Sequence, residues 1–179
     1  MEHRTVPSCV VHDNYNLLGL GIPYCSRYKN PMCGNVYDDQ KSFDVDSYWG
    51  ECGKWYETNA HIFKEDFTQY PLTNGFDKGD IMVLKGKPPA DIKVGDVIVF
   101  WSTKKDPIIH RVVRKWKEQN VYYFQTKGDN NYGSIKTTEL DETRISEEQI
   151  VGKAVFRIPL LGYIKIWFVE FFDFLRSMF

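Results

Sequence analysis

The stretches KGDIMVLKG (78–86), VGDVIVFWS (94–102), IIHRVVRKW (108–116), VYYFQTKGD (121–129) and IVGKAVFRIP (150–159) decide the fold of this chain. Each is a short apolar run rich in β-branched and aromatic residues, and Gly-Asp, Lys-Pro-Pro or Asn turns separate them. Such residues fit a pleated, half-buried surface, and runs spaced this closely pair as antiparallel neighbours. Two runs open on Gly-Asp, where the glycine permits a tight entry and the aspartate bonds back onto the turn. Helix-forming sequence is scarce here; SEEQI (146–150) supports one turn with Ser146 as its cap. The reading is a mainly β protein on a curled, barrel-like antiparallel sheet.

On either side of these runs the texture changes. Residues 1–74 show little strand alternation and many turn formers, among them NYN, GLGIP, YKNPMCGN and VYDDQ. Within them DVDSYWGECGKWYE (44–57) places aromatic residues at helical spacing and predicts a short helix. The segment reads as one long irregular insertion ahead of a β domain at 75–160. The chain ends with IPLLGYIKIWFVEFFDFLRSMF (158–179), apolar but broken by Lys165, Glu170, Asp173 and Arg176. That falls short of the roughly 18 uninterrupted apolar residues of a spanning helix. An amphipathic helix over 161–179, its Trp and Phe residues facing lipid, fits better than a helix packed on the sheet.

A net charge of −1 and the lack of a basic block give nothing to track phosphates, so nucleic acid is not an expected partner. Residues 1–70 carry 6 Lys/Arg against 10 Asp/Glu, and residues 71–179 carry 17 against 14. The split agrees with the division drawn from texture. Cys9, Cys25, Cys33 and Cys52 all precede the β runs and contain no CxxC pair, which disfavours a zinc knuckle. In a turn-rich segment they suit two disulfides and an oxidising compartment, with the pairing open. The opening MEHRTVPSCVV is polar and does not read as a cleavable signal peptide, so export calls for something upstream of it.

Chemistry concentrates in PIIHRVV (107–113) and TKGDNN (126–131). By strand alternation Ile108, His110, Val112 and Arg114 share one face. Among aliphatic neighbours His110 is partly desolvated, which favours the neutral imidazole that a general base requires. Asp129 could accept from the second ring nitrogen and fix the tautomer. A histidine and a carboxylate on neighbouring strands are two parts of a hydrolytic relay. Singly, each motif also reads as a structural histidine or an Asx turn.

Taken together and in this order, KGDIMVL, VGDVIVFW, PIIHRVV, FQTKGDNN and QIVGKAVFRIPLLGYI resemble the signal peptidase I family, in its archaeal and endoplasmic-reticulum branch. The resemblance covers residues 75–165. It implies a membrane-associated serine endopeptidase that removes signal peptides from exported proteins, cutting after small residues, with the catalytic domain on the extracytoplasmic face. Its partners would be signal peptides and membrane lipid, with further subunits left open, and no metal or organic cofactor is implied. His110 takes the place of the branch's general base, and Asp129 that of an essential acidic partner. A second family aspartate falls on Ile135 at the usual offset, which leaves Asp141 in ELDETRI as the nearest candidate.

The nucleophile departs from the pattern. The family carries Ser-Met before its first strand, and here Ser-Met occurs as Ser177-Met178, at the wrong end. The start Met-Glu-His suggests that Met1 is the methionine of that pair and that the serine lies one residue upstream, with an anchor before it. On that expectation 2–74 is an insertion, and the chain as given is inactive alone. Ser8 lacks the flanking methionine, and Ser42, Ser47, Ser102 and Ser134 have no motif support. Cys9 as a nucleophile would be consumed by pairing. His3, His12 and His61 have no carboxylate or cysteine at ligand spacing and read as surface residues. The alternative is an inactive relative that serves as a peptide-binding or scaffold module. A self-cleaving regulator is disfavoured by the lack of a DNA-binding helical segment and of a serine–lysine pair.

Overall fold

The five apolar runs all become strands. The computed structural model describes residues 45–73, 75, 80–159, 161, 162, 164 and 176. Its strands are β1 (Ile81–Lys85), β2 (Val97–Phe100), β3 (Ile108–Glu118), β4 (Val121–Lys127), β5 (Ile145–Ser146) and β6 (Ile150–Ile158). They form one six-stranded sheet in the order β1-β6-β2-β3-β4-β5, every pair antiparallel. The mainly β, antiparallel reading holds. The sheet is open rather than closed, with β1 and β5 at its edges.

Both faces of the central strands are covered, and alternation divides their residues between two cores. Val97, Val99 and Ile109 pack with Met82 and Ala154 on one side. Ile98, Phe100, Ile108 and Val112 pack with Phe124, Leu140 and Ile145 on the other. The β3–β4 ladder shifts register between Val112 and Arg114, so Arg114 does not continue the face of Ile108, His110 and Val112 as alternation alone predicted. Val113, at the bulge, belongs to a third core. At the far end of the hairpin Gln119 (φ 46°) and Asn120 (φ 69°) are both left-handed, the backbone that a two-residue turn between twisted strands requires.

The third core belongs to a helical unit ahead of the sheet. It comprises α1 (Val45–Trp55), a π-helical turn (Tyr56–Ala60) and α2 (Lys64–Thr68). The helix expected within 44–57 is α1. Phe67 sits among the rings of Tyr48, Tyr56 and Trp49, with centroids 5.2, 5.3 and 5.4 Å away. Cys52 is buried in this cluster and disulfide-bonded. Cys9, Cys25 and Cys33, and with them the pairing, lie outside the described residues.

The Gly-Asp turn before β2 does more than permit a tight entry. Gly95 has φ +93°, and a Cβ there would fall 2.3 Å from the Tyr70 ring, so the glycine lets the helical unit close on the sheet. Asp96 bonds back onto the turn as expected, accepting from the Lys93 N–H at 3.0 Å. Asp80 pairs with Arg157 at 3.0 Å. The turn read at SEEQI is a 3-10 turn, Glu147–Gln149, where the Ser146 N–H donates to the Gln149 side chain at 2.9 Å. Most of the 161–179 tail lies outside the described residues, and none of the described helices is long and apolar enough to cross a membrane.

Candidate active site

His110 enters the site from the middle of the most buried strand. On β3, Ile108 through Val113 are all buried, because one face meets the Phe124–Leu140–Ile145 core and the other meets the Met82–Val97 core at Ile109 and the helical unit at Val113. The His110 side chain is only 2% exposed. Its Nδ1 meets Oε1 of Glu142, a fully buried carboxylate. Glu142 also accepts the Thr126 hydroxyl at 2.9 Å and the Ile135 N–H at 2.7 Å. A carboxylate held by three partners on two strands and a loop is fixed in place, and it fixes the tautomer of the ring it meets. With Nδ1 so engaged, any proton transfer with a further group at this ring would run through Nε2.

The backbone explains why Glu142, and not Asp141, turns inward. Lys136 and Asp141 form an isolated antiparallel bridge. Glu142 donates its N–H to Ile135 O at 2.8 Å and accepts the Thr126 N–H at 2.9 Å. This extended stretch alternates: Leu140 and Glu142 are buried, and Asp141 is exposed. Asp141 instead accepts the N–H of Thr143 at 2.9 Å and its hydroxyl at 2.5 Å. Asp141, expected to complete the relay, thus lies on the side away from His110, and Glu142 lies at the ring. A period-two reading of Leu140-Asp141-Glu142, with leucine as the inward marker, was the available signal.

Asp129 has a different partner from the one expected. Its carboxylate takes a bidentate pair from Arg111, Nε to Oδ1 at 2.9 Å and Nη2 to Oδ2 at 2.7 Å, and the Tyr56 hydroxyl at 3.0 Å. Arg111 follows His110 in sequence, so alternation sends it to the opposite face. At His110 Nδ1, where the sequence reading set Asp129, the carboxylate is that of Glu142. Arg111 also donates to Pro71 O and Gly95 O, both at 2.8 Å, and to Leu72 O at 3.1 Å. It lies 5.1 Å from the centroid of the Phe67 ring.

Electrostatics follow from this burial. Burial alone would raise the Asp129 pKa, but the Arg111 guanidinium more than reverses it and holds the carboxyl below its usual range. Burial alone would lower that of Arg111, and Asp129 carries it upward instead. Lys127 is fully buried, and burial pushes its amine down to about 8 against the pull of Asp129 and Glu142. Its Nζ donates to Gly128 O at 3.1 Å and Asp129 O at 3.3 Å. Burial and the charge of Asp129 push the Tyr48 and Tyr56 hydroxyls up, so both remain donors.

One cleft has Gly75, Val97, Ile109, His110, Arg111, Asp129 and Asn130 on its walls. The two motifs singled out in the sequence thus meet at one site, through the cleft rather than through a His110–Asp129 hydrogen bond. Among the other residues weighed, Ser102 accepts the Lys104 N–H at 3.1 Å and Ser134 donates to Thr126 O at 2.6 Å. His61 is exposed, and Ser8, Cys9, Ser42, His3 and His12 lie outside the described residues. No cluster of three metal-ligating side chains occurs among the described residues.

No family model matches the chain. It is similar to the protein named signal peptidase complex catalytic subunit SEC11 of Lachancea thermotolerans, 39% identical over 118 residues that cover 63% of this chain and 70% of the relative. The protein of that name from Zygosaccharomyces rouxii is 36% identical over 117 residues, again 63% of this chain and 70% of the relative. The chain belongs to the SEC11 family of signal peptidase catalytic subunits. The resemblance drawn from the sequence motifs holds. A further SEC11 protein, from Colletotrichum graminicola, is 34% identical over 99 residues. The match spans 58% of that relative's length, so the chain corresponds to a little over half of it.

Proposed function

We propose that this chain carries the catalytic domain of a membrane-associated serine endopeptidase that removes signal peptides from exported proteins. The observation that carries the proposal is the buried His110–Glu142 pair beside a cleft, in a chain of the SEC11 family. A dyad that orients one imidazole nitrogen and aims the other is the machinery that activates a hydroxyl. A module that only binds peptides has no use for it.

In the proposed reaction His110 Nε2 takes the proton of a serine hydroxyl, and Glu142 stabilises the imidazolium that forms. The serine oxygen bonds to the carbonyl carbon after a small residue of an extended signal peptide. The C–N bond then breaks, and the imidazolium gives its proton to the leaving amine. Water, activated by the same histidine, hydrolyses the ester and frees the serine. Backbone N–H donors at the cleft would hold the developing oxyanion. Asp129 supports the cleft through Arg111. The names of the relatives place them in a signal peptidase complex, which favours an assembly of several subunits on the membrane for this protein as well, with the domain on the extracytoplasmic face. Apolar side chains exposed on and beyond β6 (Val151, Val155, Phe156, Leu161 and Ile164) suit contact with lipid.

The test joins a membrane anchor ending in serine directly to Met1 and measures cleavage of a signal-peptide substrate in detergent. Cleavage that His110→Ala abolishes supports the proposal. Cleavage that survives His110→Ala defeats the mechanism. A properly folded fusion that binds the peptide without cutting it puts the peptide-binding reading first.

A further inference from the structure

Asp129 and its turn are gripped from the helical unit as well as from the sheet. The Tyr56 hydroxyl donates to Asp129 Oδ1 at 3.0 Å, and the Tyr48 hydroxyl lies 3.0 Å from the Asp129 carbonyl oxygen. The two hydroxyls are 3.1 Å apart, so one polar chain runs from α1 to the turn at 128–131. From the sheet, Arg111 takes both carboxylate oxygens and binds the carbonyls of Pro71 and Leu72, where the chain leaves the helical unit. Leu72 adopts a left-handed backbone there, φ 57°, which a non-glycine residue holds only when its surroundings impose it.

We propose that Tyr56 is a positioning residue: with Arg111 it fixes Asp129 so that the 128–131 turn presents Asn130 to the cleft beside His110. The geometry favours this over simple adhesion between the two units. Adhesion needs only the ring packing around Phe67. The two hydroxyls add nothing to that packing, and both are aimed at one residue of the site turn. Phe at position 56 would keep the ring and delete the aimed bond. The inference deepens the proposed protease site and rests on that reading for its catalytic meaning, but it is testable without any cleavage.

The experiment compares the full chain with its Tyr56→Phe and Tyr48→Phe variants by NMR, following the Asp129 carboxyl carbon, the Gly128 and Asn130 amides and the His110 ring as pH changes. Tyr56→Phe should keep the melting temperature within about 5 °C. It should raise the pKa of Asp129, because a hydrogen bond to the charged form is lost. It should also shift the Asn130 amide more than amides equally distant from Tyr56 within the helical unit. Tyr48→Phe should move the Asn130 amide with a smaller effect on the carboxyl carbon. Changes confined to the helical unit, with Asp129 and Asn130 titrating as before, would overturn the proposal. Since no step requires hydrolysis, the expected shifts in the chain, together with an anchored, serine-bearing fusion that folds and fails to cut, would defeat the protease reading and leave the positioning role standing.

Discussion

Glu142 meets Nδ1 of His110 across 32 positions of sequence, through a loop that one β-bridge turns edge-on to β4. That bridge decides which of two adjacent carboxylates serves the histidine. Asp141, one residue earlier, faces solvent and closes its own turn on Thr143. In the anchored, serine-bearing form, Glu142→Gln should therefore lower kcat by about 10²- to 10⁴-fold, and Asp141→Asn should change it less than about threefold. In the chain itself the Nδ1 proton resonance of His110 should move on Glu142→Gln and stay put on Asp141→Asn. The opposite ranking of the two variants would return the relay to Asp141.

The Arg111–Asp129 pair predicts a stability effect with a definite direction in pH. Arg111 is 1% exposed, so neutralising its partner strands a buried charge. Asp129→Asn should cost about 3–5 kcal/mol in urea denaturation at neutral pH. Arg111→Lys should fail to restore the wild-type value, since an ammonium cannot span the carboxylate and three carbonyls at once. The Asp129 pKa is depressed in the fold, so its contribution is complete above the ordinary carboxylate value and disappears as pH falls through the folded value. The acid limb of the stability curve should accordingly flatten in Asp129→Asn. An unchanged acid limb would show that the pair adds no net stability.

Gly95 offers a test of how the helical unit seats on the sheet. A methyl group there would meet the Tyr70 ring at 2.3 Å, on a backbone with φ +93°. Gly95→Ala should destabilise by about 2–4 kcal/mol, the sum of backbone strain and overpacking. Trimming the ring in the double variant Gly95→Ala/Tyr70→Ala should cost less than the two single changes added together, because the same collision is counted in only one of them. Strict additivity in the unfolding measurements would mean that the ring simply moves aside.

The sheet was legible because its strands keep the period of two through long β-branched runs, and His110 was legible because it interrupts one of them. What escaped the sequence was orientation. The bulge at Val113 turns Arg114 off the face of His110, and nothing in IIHRVVRKW marks it. Asp129 looked like the partner of the histidine because the motif is short and polar; its true partner, Arg111, stands next to the histidine and points the other way. Glu142 was hidden because the family pattern carries an aspartate, although Leu140 two residues earlier marks its side as inward. The helical unit was foreseen only as α1, since the contacts that order it, Phe67 with four other rings and Tyr70 on Gly95, are tertiary and leave no periodic trace.

Lys127 has the same direction of pH dependence as Asp129, displaced to the alkaline range. The amine is fully buried beside the rings of Tyr56 and Trp55, and its pKa falls to about 8. An unfolded lysine titrates near ~10.4. Between these two values the unfolded chain binds more protons than the folded one, so stability rises with pH across that window. The full rise is about 3 kcal/mol at the conversion of roughly 1.4 kcal/mol per unit. Below about pH 8 the lysine is charged in both states and contributes no slope. Urea denaturation from neutral pH to about 10 should therefore show a wild-type midpoint that climbs through the window and a Lys127→Met midpoint that does not. Above that range the raised pKa values of Tyr48 and Tyr56 act the other way, because unfolded tyrosines then lose protons that the folded ones keep. A wild-type midpoint that is flat across the window would mean that the carbonyls of Gly128 and Asp129 hold Lys127 charged in the fold, and that its contacts to the site turn are those of an ammonium ion throughout.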